Sequence, residues 1–334
     1  MKLLKRFSSE IESRHYEALK ARVDQAISKT KGVVNLHNPR EKAYYRVLKA
    51  VGSKCLLIGD VCMLRRIVAV LDNILPEGDF FNPKSRHYNA RFAFINSVVN
   101  KAFNYEWFRN RSDENGKWGG WALAKEVNKF LKYCPYCNAE TLYAFEWKED
   151  TKTLKMAKSA FDHYFPRAKY PFLGLSLYNL IPSCTRCNSA FKGAGFYGLT
   201  KMAHPYGDDM DAKMRFHALI VNPSLAFQGD GHGLAGVVLA ERAYGDFSPG
   251  VRWDRMFKVS ESYSALYRQD VALVLARAQR FPKAYVEMIS RQLKEEGLPV
   301  GNLEAQLYGA SIDREQINLH RHAKLIIDLA DEFR

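Results

Sequence analysis

The chain has 334 residues, is 47% hydrophobic and 26% charged, and carries a formal charge of +14. This is the composition of a folded protein and excludes a disordered one. No apolar run approaches the roughly 20 residues that span a bilayer, and the basic start Met1-Lys2-Leu3-Leu4-Lys5-Arg6-Phe7 has no apolar core behind it. Neither a membrane span nor a signal peptide is therefore expected, and the protein is read as cytoplasmic.

In chain order, residues 1–130 read mostly as helix and hold 24 Lys+Arg against 13 Asp+Glu. A first helix is expected over 7–29, with Ser8-Ser9-Glu10 supplying capping oxygens. Pro39 suits the first turn of a second. The stretch 44–75, punctuated by Gly52-Ser53 and Gly59-Asp60, should break into two or three helices. It carries Cys55 and Cys62, read as buried free thiols on one helix face. A helix over 83–108 would bury Phe92, Phe94, Ile95, Val98, Val99 and Phe103. Residues 113–117 read as a turn, and 118–131 as a helix running into Cys134.

Residues 131–205 hold 10 Lys+Arg against 5 Asp+Glu, and residues 206–334 hold 16 against 18. In the middle region, alternation over 141–147 and 154–161 around the polar run 148–152 predicts a β-hairpin. Gly193-Ala194-Gly195 should end a short helix. Further on, 217–227, 234–243 and 256–260 read as strands, and helices follow from Ser262 with breaks at Phe281-Pro282 and 297–299. Gly229-Asp230-Gly231-His232-Gly233 lacks a following Gly-Lys-Ser/Thr, so it reads as a turn and not a phosphate loop. The basic excess lies in the first two regions, where a polyanion such as nucleic acid would be drawn.

The middle region carries the chemistry. Cys134-Pro135-Tyr136-Cys137 and Cys184-Thr185-Arg186-Cys187 are separated by the 46 residues 138–183. In a reducing compartment such pairs point to metal ligands or redox centres rather than structural disulfides. Four thiolates suit a closed tetrahedral Zn²⁺ site with a structural role. Between the pairs lie Asp162 and His163, then Asn179. Asn188 follows the second pair, and Lys192 is four residues on. Phosphodiester hydrolysis needs an activated water, a cation for the phosphate charge and help for the leaving oxygen. His163 is a candidate general base. Asp162 and Asn188 are candidate oxygen ligands for Mg²⁺ or Mn²⁺. Asn179 is assigned to holding the loop and orienting the His163 ring, and Lys192 to stabilising transition-state charge. Arg186, Arg167 and Lys169 are candidate phosphate contacts.

The order Cys-x-x-Cys, Asp-His-x-x-Pro, Asn-Leu-x-Pro-x-Cys-x-x-Cys-Asn, then Lys-Gly resembles the zinc-stapled HNH endonucleases of the ββα-metal fold, over about 60 residues from 134 to 193. The resemblance implies that His163 activates water and that Asp162 binds the catalytic metal. It places Asn179 at the middle family position and Asn188 where the family often has histidine. The family lysine falls three residues after that position, whereas Lys192 is four after it. More loosely, 172–184, His204-Pro205-Tyr206 and the tail segments 307–309 and 324–328 look like bacterial HNH proteins of phage-defence islands, Septu-type and retron-associated. That implies a partner ATPase or sensor protein.

The expected fold is α+β. A basic helical region (1–130) precedes a ββα-metal module with a four-cysteine zinc (131–205), and an α+β region ending in helices (206–334) follows. The leading expectation is a metal-dependent endonuclease acting on DNA as an effector of anti-phage defence. A noncatalytic zinc-stabilised nucleic-acid-binding subunit and a ribonuclease are the alternatives. His204 and His217 could approach the site from the third region, with ordinary packing as their default.

Overall fold

The structure is a computed structural model that describes residues 2–75, 84, 86, 88–111, 117–149, 152–157, 160–192, 202–241, 249–300, 303–309 and 313–333. Among these, helices combine with three two-stranded antiparallel sheets, an α+β arrangement. No helix is long and apolar enough to cross a membrane.

The first helices start where the sequence provides caps. Helix α1 (Ser9–Val33) begins at Ser8, whose hydroxyl accepts from the Ile11 N–H. Helix α2 (Pro39–Ile58) begins at Asn38, with Pro39 in its first turn, and kinks at Gly52, where φ is +68°. Gly59 ends α2, and the Asp60 carboxylate caps α3 (Val61–Asp72). That break separates the two remaining cysteines. Cys62 is exposed and Cys55 half-buried, so the expected pair of buried thiols on one face is corrected.

The helix expected over 83–108 is two. Helix α4 (Ala90–Ala102) buries Phe92, Ile95 and Val99, but Phe94 faces solvent. Asn104 then accepts from the Trp107 N–H and starts a separate α5 (Tyr105–Asn110), a capping signal that overrides continuation. The start of the expected helix at 83 and the turn residues 113–116 lie outside the described residues. Helix α6 (Gly120–Val127) leads to the first cysteine pair.

Strands β1 (Ala144–Glu149) and β2 (Lys152–Ala157) form the expected hairpin with a tighter turn, residues 148, 149 and 152 being in strands and 160–161 belonging to the next one; Ala144 lies opposite Ala157. The turn residues 150–151 are outside the described set. A second antiparallel pair, β3 (Ala160–His163) with β4 (Leu180–Ser183), places Asp162 opposite Ile181 and His163 opposite Leu180. A π-helical stretch, Arg186–Lys192, follows directly; the expected glycine stop at 193–195 lies beyond the described residues.

In the third region, α7 (Met210–Lys213) leads into β5 (Met214–Ile220), which pairs with β6 (Leu234–Glu241). The strand expected to run to 227 stops early, because Asn222 caps a short α8 (Pro223–Ala226). The glycine run between the strands is a turn. A Cβ on Gly233 would lie 2.4 Å from the Asn222 carbonyl oxygen, and its φ is +81°. The segment 256–260 is helical and not a strand. Helix α9 (Pro249–Phe257) buries Trp253 and Phe257 four residues apart on one face, a helical period. Lys258, in the left-handed region at φ +49°, then separates it from α10 (Val259–Ala265). Helices α11 (Arg268–Arg280), α12 (Lys283–Glu295), α13 (Leu303–Tyr308) and α14 (Ala323–Phe333) complete the chain, with a 3₁₀ turn Arg314–Leu319 before α14.

One apolar core runs from Leu4 to Ala330 and joins all three expected regions. The N-terminal helices hold the segment between β3 and β4. His15 on α1 donates from Nε2 to the Leu175 carbonyl at 2.8 Å, while its Nδ1 accepts from Trp118 Nε1 at 2.9 Å. Tyr178 donates to Glu12, and Asn96 on α4 to the Lys169 carbonyl. Helix α14 lies on β5, where buried Lys324 donates to the Met214 carbonyl and to Asp328, and Asp328 accepts from the Phe216 N–H.

Candidate functional site

The four expected cysteines come together. Cys134, Cys137, Cys184 and Cys187 are all buried, with their sulfurs within 4.8 Å of one another. Each pair sits in a tight turn aimed at the other. The Cys184 N–H points to the Cys134 sulfur and the Cys187 N–H to the Cys184 sulfur, each at 3.4 Å. Four sulfurs at this separation can hold a metal ion such as zinc, since Zn–S bonds of about 2.3 Å place tetrahedral sulfurs under 4 Å apart.

The four sulfurs share charge unequally. The neighbouring sulfurs, Cys134 first, hold Cys137 well below its ordinary pKa and lower Cys184 as well, whereas burial pushes Cys134 and the neighbouring sulfurs push Cys187 well above theirs. Arg186 lies beside Cys137. Burial works against the guanidinium charge, but the Cys137 sulfur and the Tyr267 hydroxyl outweigh burial and raise its pKa. Its Nε and Nη2 are buried without a hydrogen-bond partner, while Nη1 donates to Tyr267 at 3.0 Å. The Glu140 carboxylate lies 3.8 Å from Nη1, so the guanidinium faces both the cysteine cluster and a carboxylate. Arg186 thus faces the cysteine cluster, Tyr267 and Glu140, and it does not line the cavity beside Asp162 and His163.

Asn138 locks the first turn to the C-terminus. It adopts φ +53°, a region Asn tolerates better than most residues. Its amide donates to the carbonyls of Ile317 and His320, and its Oδ1 accepts from the Lys324 N–H. Trp253 and Tyr263 donate to the carbonyls of Tyr136 and Cys137.

The cysteine cluster reaches the Asp-His pair through Tyr136. Its hydroxyl donates to Asp162 Oδ2 at 2.6 Å, while its ring stacks on Phe257 with centroids 4.0 Å apart. Asp162 is only 4% exposed. Its other oxygen accepts from Lys192 Nζ at 2.7 Å, and Lys192 also donates to the His163 carbonyl. Burial lowers the Lys192 pKa, and Asp162 partly offsets this. Lys192 therefore holds the cation position on Asp162 and at the same time lines the cavity beside it. The π-helical winding of Arg186–Lys192 takes up more residues per turn than an α-helix. This lets a lysine four residues after Asn188 turn back onto β3.

His163 is half-buried. Its Nε2 lies 3.0 Å from the Gly174 carbonyl, which can only accept, so Nε2 carries the proton and Nδ1 keeps its lone pair. Tyr105 packs edge-on against the ring at 4.6 Å. Burial lowers the His163 pKa to about 4, with the Gly174 hydrogen bond partly opposing it, so the ring is neutral near pH 7.

Asn179 does not touch that ring. Its Oδ1 accepts from the Phe165 N–H, and its amide donates to the carbonyls of Phe165 and Leu173. It holds the loop, as expected, but the Gly174 carbonyl orients the histidine. The loop geometry that Asn179 enforces is what presents that carbonyl.

A cavity of about 480 Å³ joins Asp162, His163, Asn188 and Lys192 with Arg167, and adds Tyr105, Glu106 and Arg109 from α5. Arg167 sits at this cavity and pairs with Glu106 at 3.2 Å. Lys169 instead pairs with Asp72 at 2.7 Å and does not line the cavity. His204 is buried against the Tyr164 ring and His217 pairs with Glu332, so both follow the packing default. Tyr136, Gly174 and the α5 residues were not anticipated. Tyr136 had a local signal, an aromatic inside a cysteine pair, but nothing near 105–109 marks those residues as cavity wall.

Comparison of the chain with family models, with curated proteins and with solved structures finds no match.

Proposed function

We propose that this protein is a metal-dependent endonuclease of the HNH type that hydrolyses phosphodiester bonds in DNA. The observation that carries the reading is the order β3, β4, π-helix packed on a four-cysteine cluster. It brings Asp162, His163 and Asn188 to one cavity. That cavity also carries Arg109 and Arg167, cations suited to a phosphodiester.

The residues divide the work. Nδ1 of His163 is the general base, with Nε2–H fixed on Gly174, so the ring takes a proton from water without changing its orientation. Asp162 and Asn188 would hold a divalent cation, Mg²⁺ or Mn²⁺, through oxygen. The ammonium seated on Asp162 shows that this carboxylate partners a cation, and a divalent ion would have to displace it; burial, which lowers the Lys192 pKa, favours that exchange. When bound, that cation would neutralise charge on the phosphate. The four cysteines would hold zinc as a closed structural site.

The test is cleavage of supercoiled plasmid during Mg²⁺ and Mn²⁺ titration. Wild-type protein should nick or linearise it, and His163→Ala should not, with zinc content and folding unchanged. Cleavage retained by His163→Ala would overturn the mechanism. A specific observation favours a second reading, the noncatalytic zinc-stabilised nucleic-acid-binding subunit: both Asp162 oxygens are already satisfied from within the protein. It predicts binding without cleavage of DNA or RNA at any metal concentration. Cleavage of RNA alone would instead favour the ribonuclease. An anti-phage role with a partner ATPase or sensor rests on the sequence resemblance. It is tested by phage challenge of cells carrying wild-type protein or His163→Ala.

A further inference from the structure

Helix α5 has a second face beyond the cavity wall. Trp107 is 37% exposed, although a tryptophan is usually well buried. Two guanidiniums stack on its indole, Arg22 of α1 at 4.3 Å and Arg111 at 5.0 Å. Arg22 is already engaged, its Nη2 donating to the Lys101 carbonyl at 3.3 Å and its Nε buried, whereas a guanidinium held against an aromatic face, as Arg111 is, suits phosphate oxygens. Arg109, two residues from Trp107 and on another side of the same short helix, is exposed at the cavity, with Arg167 across it.

The end of α5 is also held in place. A Cβ on Gly119 would lie 2.7 Å from the Arg111 carbonyl oxygen, and one on Gly120 would lie 2.8 Å from the Arg109 Cα. The Gly119-Gly120 pair is therefore a seat on which the backbone of 109–111 rests. A close backbone fit beneath three neighbouring side chains, two cationic and one aromatic, is hard to account for as solvated surface alone.

We infer that Trp107, Arg109 and Arg111, with Arg22 bracing the indole from behind, form a track that binds the sugar-phosphate backbone of a nucleic acid and leads it to the cavity. The inference rests on the reading of that cavity as the place where a phosphodiester is met. Glu106 lies at the same edge, but its carboxylate is paired with Arg167. Rigid, pre-stacked arginines lose little side-chain freedom on binding, so the contact is to backbone and independent of sequence.

The test measures binding apart from cleavage. Fluorescence anisotropy with labelled duplex DNA, single-stranded DNA and RNA of one sequence is recorded in EDTA, across a salt series. The variants are Arg109→Glu/Arg111→Glu, Trp107→Ala and Gly120→Ala. Arg291→Glu/Lys294→Glu on α12, remote from the cavity, makes the same change in net charge. The track double variant should weaken binding about tenfold or more and lower the salt slope by roughly 2, as expected for two lost phosphate contacts. Trp107→Ala and Gly120→Ala should each weaken it several-fold, and the α12 control by less than twofold. Circular dichroism and zinc content identify any variant that has lost its fold. Trp107→Ala, which removes a partly exposed ring, keeps the inference testable if Gly120→Ala unfolds.

Equal weakening by the track and α12 double variants would overturn the inference, as would no weakening by either. The substrate with the largest difference between wild type and the track variant identifies the natural backbone. If wild-type protein cleaves nothing but loses binding in the track variants, the endonuclease reading fails and the track stands. If it cleaves DNA and the track variants bind like wild type, the track fails and the endonuclease reading stands.

Discussion

Tyr136, enclosed by the first cysteine pair, donates its hydroxyl hydrogen to Asp162 Oδ2 at 2.6 Å. Burial and the adjacent carboxylate raise the Tyr136 pKa well above its ordinary value, so the phenol remains a donor. A residue of the candidate structural metal site thereby supports a residue of the candidate catalytic one. The two sites share a hydrogen bond and do not merely stand near each other.

Replacing Tyr136 by Phe should retain the stack on Phe257 and the four-cysteine cluster while leaving Asp162 Oδ2 without its buried donor. The expected loss is about 1–3 kcal/mol. Urea unfolding with zinc content measured in parallel checks this. A variant as stable as wild type would show that the hydrogen bond contributes nothing net.

Lys192→Met removes the ammonium from Asp162 and leaves a carboxylate buried at 4% exposure without its ion-pair partner. Breaking a buried pair from one side costs about 3–5 kcal/mol. Divalent cations should then bind more tightly, because they no longer compete with a tethered ammonium. Mn²⁺ titration followed by electron paramagnetic resonance should show a lower Kd than wild type, and Mn²⁺ should restore part of the lost stability. Unchanged or weaker Mn²⁺ binding would show that Lys192 is no competitor.

Zinc removal should act at a distance. The expected stoichiometry is one zinc per chain, released by a thiol-reactive reagent and read with a metallochromic dye. Cys184→Ser should lower that content. Because Asn138 ties the first cysteine turn to Ile317, His320 and Lys324, chelation should raise amide exchange in 317–330 before it reaches α1 and α2. Uniform loss of protection along the chain would contradict this.

Acid should weaken the packing of α1 on the segment between β3 and β4. Burial lowers the His15 pKa to about 4, and the Leu175 carbonyl only partly opposes it. The ring is neutral, with Nε2–H on Leu175 and Nδ1 accepting from Trp118. Above the unfolded value near 6.5 both states bind no proton at this ring, so its contribution is fully present. As pH falls from about 6.5 to about 4, the unfolded chain takes up the proton first and stability drains away; below about 4 the loss levels off. Chemical unfolding between pH 7 and 4 should show this loss, and His15→Gln should flatten part of it. An identical pH dependence in the variant would assign the effect to other groups.

Much of the local structure is legible in the sequence because its causes are local. Ser8, Asn38 and Asp60 cap their helices within three residues. The two cysteine pairs carry their own turn geometry, so the cluster follows once the chain brings them together. The errors arise where a local preference meets a distant one. Residues 256–260 have strand-like composition, yet Trp253 and Phe257 both bury only if 249–257 is helical. Asn179 holds the loop as expected, but the hydrogen-bond partner expected of it for the His163 ring is instead a backbone carbonyl, which no composition reveals.

What the sequence determined alone is the set of chemical groups: four thiols in two turns, an Asp-His step, two asparagines, a lysine and a basic N-terminal excess. The tertiary structure decided their pairing. It put Lys192 on Asp162 across 30 residues, Tyr136 on the same carboxylate across 26, and α5 against His163 from nearly 60 residues away. Hydrogen bonds of under 3 Å and ring contacts of 4–5 Å depend on where the shared core places each backbone, and spacing along the chain carries no such distance.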